Sequence, residues 1–541
     1  MRLIRRRLKR LREEDGYTMV AVVAAIALIT LLTAAAVAAT NGDQRLIMRD
    51  LDQKRAYQAA QAGIADYTYH LNNDSGYWTR CTGVPTPNAV NQQGSTTNRR
   101  TLPGATDGSQ YAIELVPATG HSFCDSSNPT QSMLESTGPN IGTFRIRSTG
   151  FSGTEKQSIV ATFKQATFLD YVYFTQLETS DPVTYGFANP SAALTGAYSQ
   201  CTKFRRDGRE SSPIPGTSNQ FCDKIVFVGG DHIDGPVHTN DDLAICGSPT
   251  FGRSSADVTE VSAPPIGWVN GGCSGTPNPN FVGPFATNAP VLTPPATNTE
   301  LRNIAGPSYT YTGQTQIVLS GTNMTITTNT GQVIGPTAVP SDGVVYVQNG
   351  AGCSSAYSPF TATYPSTSGC GNAVVHSSGN YSGQLTIAAE NDIIIDGNLT
   401  RASSSADLLG LVANNFIRIK HPVCPSNNTG CTSGTITAET AKGQCNSGVN
   451  GTGSLSSPQI DAALLAIQHS FIVDHYDCGG SLGTLQVNGA ISQKFRGAVG
   501  TTGGTGYIKD YNYDDRLRYQ EPPHFFDPVQ SAWHVQRETL G

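Results

Sequence analysis

The feature that most constrains this chain is a long uncharged apolar segment near its start. Met19 to Ala39 runs for 21 residues, and Thr30 and Thr33 are its only polar side chains. A helix of that length crosses the roughly 30 Å hydrocarbon layer of a bilayer. Seven basic residues precede the first acid, Glu13, and they are Arg2, Arg5, Arg6, Arg7, Lys9, Arg10 and Arg12. Because such basic flanks stay cytoplasmic, we expect a single-pass membrane protein with its N-terminus inside and its bulk outside the cell.

A helical pattern continues past the apolar segment. Apolar residues recur there at steps of three and four, which predicts an amphipathic helix; they are Tyr57, Ala60, Ile64, Tyr67 and Leu71. The dipeptide Asn41-Gly42 favours a turn and predicts a kink between the two stretches. The A-x-A motif ending at Ala38 leaves conventional signal cleavage open as an alternative. A removed signal has no need of the helix that follows, so we favour a retained anchor.

These segments together resemble a known family. A basic leader that ends in Gly16 and is followed by Tyr17, Thr, Met and an unbroken apolar run resembles the type IV prepilin N-terminus. Residues 52–72, DQKRAYQAAQAGIADYTYHLN, resemble the segment that follows it in PilX-type minor pilins. The resemblance ends near residue 75. Ala21 stands where pilins that build the shaft usually carry Glu, which implies a minor or tip-associated subunit.

The resemblance implies a set of partners and a processing route. A prepilin peptidase would cut after Gly16 and methylate the new amino terminus at Tyr17. Membrane lipid would hold the subunit until the pilus assembly machinery extracts it and packs it among other pilins. The same apolar surface is stable in lipid and against copies of itself, so one helix can serve as anchor and as filament core.

The charge balance argues against nucleic acid as a partner. Beyond Gly16 the chain carries 28 Lys plus Arg and 38 Asp plus Glu. An acidic surface repels phosphate backbones. The basic leader is better explained as a topology signal than as a nucleic-acid tail.

All twelve cysteines lie beyond the apolar segment. Their number is even and no two form a CxxC motif, which predicts disulfides in an oxidising exterior rather than zinc or thioredoxin-like chemistry. Connectivity does not follow from sequence. The simplest hypothesis joins near neighbours, namely Cys201 with Cys222, Cys246 with Cys273 and Cys353 with Cys370.

Glycine, proline and a low charged fraction of 14% predict a turn-rich β protein after the helix. Strand signals at 111–117, 143–150 and 158–165 indicate a small antiparallel sheet. The resemblance implies that this sheet packs on the helix.

Further along, paired apolar runs joined by tight polar turns suggest stacked coils. They occupy residues 385–395, 409–419, 464–473 and 485–492. Each run buries its inward side chains only when another coil covers it, with Asn414, Asn415, Asn488 and Gly489 at positive-φ corners. We expect a β-solenoid or β-helix, with a β-sandwich as the alternative because no strict period survives.

The resulting fold class is α+β: a long transmembrane and amphipathic helix, a small pilin-like sheet and a large mainly-β ectodomain. The expected segments are the leader 1–16, the helix 17–72, the small β region 73–167, a loop-rich β region 168–345, a solenoid-like region 346–508 and an aromatic C-terminal cap 509–541.

The densest polar cluster is DHIDGPVHTNDD, residues 231–242. His232 and Asp234 share one strand face and His238 could return to it, which makes them weak candidates for a metal site. Gly235-Pro236 breaks the strand, so a structural turn is the better interpretation. We therefore predict no metal and no cofactor.

A hydrolase is the other chemistry considered. His469 and His475 in AIQHSFIVDHY lie near Asp474 and Asp477, with Ser470 as the candidate nucleophile, but adjacency in sequence is not the arrangement that such catalysis uses. Strand histidines whose ring nitrogens are hydrogen-bonded within the fold explain this pattern better than a catalytic triad does. We expect no catalytic residues and no enzyme.

The sequence as a whole therefore favours a non-enzymatic minor pilin that primes assembly or presents an adhesive surface. Two alternatives stay open. One is a membrane-anchored β-helical enzyme that acts on cell-surface polysaccharide, and the other is a structural envelope protein.

Overall fold

The computed structural model describes residues 15–74, 76–79, 99–125, 127–135, 142–165, 167–188, 191–354, 357–364, 369–402, 406–425, 444–445, 448–518, 520–529 and 533–540. The described helices are α1 (Asp15–Asn73), α2 (Pro129–Met133), α3 (Ala192–Cys201) and α4 (Thr299–Ala305). The described strands are β1 (Arg100–Thr101), β2 (Gln110–Val116), β3 (Thr143–Ser152), β4 (Glu155–Gln165), β5 (Tyr173–Leu177), β6 (His232–Asp234), β7 (Val237–Thr239), β8 (Leu243–Ile245), β9 (Thr250–Phe251), β10 (Thr259–Val261), β11 (Trp268–Asn270), β12 (Asn280–Phe281), β13 (Phe285–Ala286), β14 (Thr310–Thr312), β15 (Thr315–Gly321), β16 (Asn323–Thr327), β17 (Val333–Ala338), β18 (Val344–Gln348), β19 (Ala373–Tyr381), β20 (Gln384–Ala389), β21 (Ile393–Ile395), β22 (Thr400–Arg401), β23 (Leu408–Ala413), β24 (Ile417–Ile419), β25 (Val423–Pro425), β26 (Gly448–Asn450), β27 (Gln459–Ile460), β28 (Ala463–Ala466), β29 (Phe471–Val473), β30 (Ser481–Phe495), β31 (Gly506–Tyr513) and β32 (Trp533–Leu540).

The chain divides into two compact units. The first comprises Met1–Lys164 with Trp533–Gly541, and the second comprises Gln165–Ala532. The segment expected as a terminal cap, 509–541, is shared between them. β31 lies in the second unit, where Tyr511 and Tyr513 are buried, whereas β32 belongs to the sheet of the first unit.

Helix α1 runs without interruption through Asn41-Gly42. A break of the helix at that dipeptide is therefore excluded, and the kink stays a prediction. The long N-terminal helix itself is confirmed.

The C-terminal half of α1 packs on the first sheet through small residues. Ala56, Ala59 and Ala60 are fully buried. Gly150 in β3 allows this approach, because a Cβ there would lie 1.9 Å from the Ala56 carbonyl oxygen. Tyr57 is 42% exposed, so the predicted apolar stripe is correct from Ala60 onward but wrong at Tyr57. The alanines bring the helix closer to the sheet than the tyrosine ring allows.

The first sheet is small and antiparallel, as predicted, with strand order β1-β2-β3-β4-β32. Aromatic rings fill the space between this sheet and the helix. Phe144 stacks on Phe163 with ring centroids 5.2 Å apart, and Trp533 meets Phe144 edge to face at 4.7 Å. Tyr67 from α1 joins the same cluster. The last described strand, β32, thus packs in the same core as β3 and β4.

The second unit is mainly β, as predicted, and most of its strand pairs are parallel. One ladder runs in the order β14-β18-β20-β23-β28-β30-β5-β7-β10-β13. A second ladder runs β15-β19-β21-β24-β29, with β16 and β17 added antiparallel at one end. A third runs β30-β31-β6-β9-β12.

The register of the second ladder aligns buried aliphatic side chains. Ile393 pairs with Ile417, and Ile417 pairs with Phe471; all three are buried. The steps along the chain between paired strands differ widely because the β25-β26 hairpin and its flanks are inserted between β24 and β29. The absence of a strict sequence period follows from that insertion.

Asparagines at the turns act through their side chains rather than through backbone conformation. The expectation that Asn414, Asn415, Asn488 and Gly489 occupy positive-φ corners is wrong, since the residues with positive φ in the described ranges lie elsewhere, and Asn488 and Gly489 lie within β30. Asn415 instead donates its amide to Asn391 at 2.7 Å, and Asn391 donates to Asn372 at 2.6 Å. A short ladder of amide hydrogen bonds therefore joins successive turns.

Candidate functional site

The first half of α1 is an exposed apolar surface. Met19–Ala38 has a mean hydropathy of 2.7 and no buried residue, so by length and composition it could cross a membrane. Its polar groups are satisfied within the helix. The Thr30 hydroxyl donates to the Ile26 carbonyl and the Thr33 hydroxyl to the Ile29 carbonyl, each at 2.9 Å. A segment of this kind is compatible with lipid or with another apolar helix.

The exposed apolar surface extends beyond that span. Leu46, Ile47 and Met48 are 64%, 58% and 55% exposed, and the buried part of the helix begins only near Ala56. A soluble monomer rarely leaves such an area uncovered. The helix therefore has a part fixed to its own sheet and a part that needs another partner.

The expected processing residues lie at the beginning of this helix. Gly16 and Tyr17 fall in the first turn of α1. The basic leader up to residue 14 lies outside the described residues.

The structure joins the cysteines into disulfides. Cys201 is bonded to Cys222, Cys246 to Cys273, Cys353 to Cys370 and Cys445 to Cys478. Cys124 and Cys424 are also disulfide-bonded. Cys81 and Cys431 lie outside the described residues. Within the described ranges there is no free cysteine, which fits an oxidising compartment.

The three weak metal candidates do not converge. His232 is exposed on β6, whereas His238 is buried on β7, and the two strands belong to different ladders. Both ring nitrogens of His238 already have partners: Nδ1 lies 2.7 Å from Glu260 and Nε2 lies 3.0 Å from Asn240. Across the described residues, no group of three potential ligand side chains could hold a metal ion. Gly235-Pro236 redirects the chain between β6 and β7, which explains the separation.

The histidines considered for hydrolysis are likewise held apart. His469 Nδ1 lies 2.7 Å from Asp181, and His475 Nε2 lies 3.0 Å from the Ala362 carbonyl oxygen. Ser470 is fully buried and its hydroxyl has no hydrogen-bond partner in the described part of the chain. The structure therefore does not bring Ser470 into a triad with either histidine.

Sequence reasoning missed a buried charge cluster on the outer face of the second ladder. Arg418 lies between two carboxylates: Nε and Nη2 contact Asp474 at 3.1 and 2.9 Å, and Nη1 contacts Asp392 at 3.2 Å. The hydroxyls of Tyr357 and Tyr364 also donate to Asp474. Burial raises the pKa of both tyrosines well above the usual value, so they remain donors. The only sequence signal was an arginine flanked by two isoleucines in a strand.

A comparable pair lies in the first ladder of the second unit. Arg496 contacts Glu178 at 2.9 Å, and its guanidinium lies 3.5 Å from the centroid of the Phe227 ring. Burial of such an ion pair carries a desolvation penalty. Removal of one partner then destabilises the fold strongly, because the other charge is left buried without a countercharge.

The comparisons with known proteins add little. No protein-family model matches this chain, and no curated protein matches it. Among solved structures, the chain is similar to the crystal structure of the competence-associated pilin ComZ from Thermus thermophilus. The sequences are 12% identical, the match covers 91% of this chain and 98% of that chain, and the TM-score is 0.25. A TM-score this low does not establish a shared fold, so the functional conclusion has to come from this chain's own residues.

One further feature that the sequence did not reveal is a surface groove of about 560 Å³ on the outer face of the second ladder. Its floor includes Val374 and Ile394, and Tyr364 stands at one side. Asp396 and Lys420 follow on the same face, because they lie one residue beyond the paired Ile395 and Ile419, whose side chains point inward. The signal in the sequence was alternation within strands only three residues long, which is too short to assign a face.

Proposed function

We propose that this chain is a minor pilin-like subunit of a type IV pilus, held in the membrane by α1 until assembly. The observation that carries the proposal is the division of α1 into two parts. The part from Ala56 onward is packed on an antiparallel sheet, and Met19–Ala38 is apolar and uncovered. That uncovered surface suits lipid before assembly and other pilin helices afterwards. Prepilin peptidase would act after Gly16 and methylate Tyr17.

We further propose that the second unit is a β-solenoid displayed outside the cell. Successive strands such as β20, β23 and β28 stack in parallel, while β21, β24 and β29 stack beside them, so that each coil contributes a strand to both ladders. The amide ladder from Asn372 to Asn415 supports the same interpretation, since it repeats from coil to coil.

The subunit's work would be non-enzymatic. It would prime pilus assembly or present an adhesive surface, with other pilins, the assembly machinery, prepilin peptidase and membrane lipid as its partners. The buried arginine-carboxylate pairs and the disulfides support a rigid displayed domain. The expected absence of nucleic acid among the partners rests on the acidic balance of the exported part.

The N-terminus of the mature protein tests the proposal. Membranes from the native host are extracted with detergent, and the purified chain is sequenced by mass spectrometry. We expect a species that begins with methylated Tyr17. A species that begins at Ala39 would mean conventional signal cleavage, which removes the proposed assembly helix and refutes the pilin function. An uncut chain that is never recovered in sheared surface filaments would instead favour a plain envelope anchor.

A further inference from the structure

The groove on the second ladder has the construction of a ligand site. Its apolar lining is Val374 on β19, which is half-buried, and Ile394 on the adjacent β21, which is 1% exposed. One wall is the turn between β16 and β17, with Thr328 and Asn329, and the other includes Tyr364 and Pro422. An apolar patch bordered by polar side chains suits a ligand that has an apolar face and polar edges.

The Tyr364 ring is fixed before any ligand arrives. Its hydroxyl donates to the buried Asp474, which is itself held by Arg418. The disulfide between Cys353 and Cys370 closes the segment that contains it. A preordered aromatic side chain loses little entropy on binding, which favours its use as a contact surface.

Of the two charged side chains in the groove, Asp396 and Lys420, only Asp396 has an ion-pair partner among the described residues. Asp396 is paired with His376, whose Nδ1 lies 2.8 Å from the carboxylate. Lys420 Nζ lies 5.4 Å from the centroid of the Tyr364 ring, and no described carboxylate lies within 4.0 Å of it. The groove therefore offers an ammonium group that is available to an incoming anion, on a protein whose exported part is otherwise acidic.

Amide and hydroxyl groups surround this cation. Gln316 and Thr327 line the groove from neighbouring strands, and Asn329 lies at its rim. Each can donate to and accept from ligand hydroxyls.

We propose that this groove binds an acidic polysaccharide, with Lys420 on a sugar carboxylate, Val374 beneath the apolar face of the sugar rings and Tyr364 at their side. The amides and hydroxyls on the walls contact the sugar hydroxyl groups. This inference rests on the proposed function in one respect: it names the ligand class of the adhesive surface.

The test measures binding of defined oligosaccharides to the full chain in detergent micelles by calorimetry. Hexagalacturonate is the acidic probe, cellohexaose is the neutral probe, and a twelve-nucleotide single-stranded DNA is a second polyanion. We expect hexagalacturonate to bind and the other two to bind at least about tenfold more weakly. The neutral sugar lacks the charge-assisted contact with Lys420, and the DNA lacks the sugar hydroxyl groups that the amides and hydroxyls on the walls contact.

Two variants locate the site. Lys420→Gln removes the ammonium group, and we expect affinity for hexagalacturonate to fall about tenfold or more. Lys54→Gln, on the exposed face of α1, makes the same change in net charge elsewhere and should leave affinity unchanged. Val374→Trp fills the groove from its floor while the inward-facing neighbours Ala373 and Val375 stay in place, and it should abolish binding.

The opposite results overturn the inference. Equal binding of cellohexaose, preferred binding of DNA, unchanged affinity in Lys420→Gln, or no binding of hexagalacturonate at millimolar concentration would each do so. None of these results bears on the mature N-terminus. A chain processed at Tyr17 that ignores the acidic sugar would therefore retain the pilin function and lose only this ligand.

Discussion

Removal of the guanidinium at Arg418 should destabilise the second unit in a pH-dependent way. The side chain is 5% exposed and lies between Asp392 and Asp474, both nearly inaccessible to solvent. Arg418→Leu keeps an apolar side chain of similar reach but leaves two buried carboxylates without a countercharge. Breaking one partner of a buried ion pair costs about 3–5 kcal/mol.

The size of the thermal shift follows from the size of the unit. An unfolding entropy of about 2.1 cal/mol/K per residue over about 370 residues gives roughly 0.8 kcal/mol/K. A loss of about 3–5 kcal/mol therefore lowers Tm by roughly 4–6 °C.

The pH dependence follows from the carboxylates left behind. Burial already raises the pKa of Asp392 in the intact protein, and loss of the arginine removes the charge that opposes this effect. A carboxyl group whose pKa is higher in the folded state stabilises the fold below its unfolded pKa, and this contribution is lost as the pH rises through the folded-state value. The deficit of the variant relative to the parent should be largest near pH 7 and smaller at pH 5.

Scanning calorimetry of the full chain in detergent, at pH 7 and pH 5, measures both effects. Hydrogen exchange at Ile417–Ile419 reports whether the opening is local to β24. Arg302→Leu, an exposed arginine on α4, is the matched control and should change stability by less than about 0.5 kcal/mol. An unchanged Tm in Arg418→Leu, or an equal deficit at both pH values, would refute the reasoning about uncompensated buried carboxylates.

Three further predictions concern packing and oxidation. Gly150→Ala places a Cβ against the Ala56 carbonyl oxygen and should destabilise the first unit by about 1–3 kcal/mol, measured as a lower Tm of its calorimetric transition, while Gly76→Ala, whose nearest contact is 3.4 Å away, should not. Replacing Cys353 and Cys370 together by Ser removes a 17-residue loop closure and should cost about 3 kcal/mol, seen as faster proteolysis between those positions; equal protease resistance would contradict it. Thiol titration of the unfolded chain without reductant should find nearly no free cysteine, and a high thiol content would overturn the assignment to an oxidising compartment.

Local patterns in the sequence were sufficient for the helix and for the longer strands, but not for the individual strands of residues 168–345. The apolar run from Met19 and the strand signals at 143–150 and 158–165 lie within the observed α1, β3 and β4. These elements are long, and side-chain alternation or helical periodicity decides them directly. Tyr57 was misplaced because periodicity alone does not distinguish a buried alanine from the larger tyrosine next to it.

The features that could not be predicted from the sequence depend on contacts between residues that lie far apart in the chain. Trp533 completes a core begun by Phe144, and no local signal indicates that the chain returns to that sheet. Strands such as β21 and β24 are three residues long, so the outward position of Asp396 and Lys420 becomes visible only once the parallel register is known. The turn asparagines were expected at strained backbone positions, but Asn415 and Asn391 act through hydrogen bonds to the amides of Asn391 and Asn372 in the preceding turns.

The strand order of the first sheet explains how a small unit of this kind can carry so large a second unit. β4 ends at Gln165 and its neighbour in the sheet, β32, begins at Trp533, so the whole of Gln165–Ala532 enters and leaves through adjacent strands. The entropic cost of closing a connection rises only with the logarithm of its length, and a folded insertion whose ends lie near each other costs less than a flexible one. In the chain, the second unit is thus bounded by two neighbouring strands of the first sheet. Strands between Gln165 and Ala532 can be added, or their outward-facing residues changed, without altering the residues of α1 that pack on the first sheet.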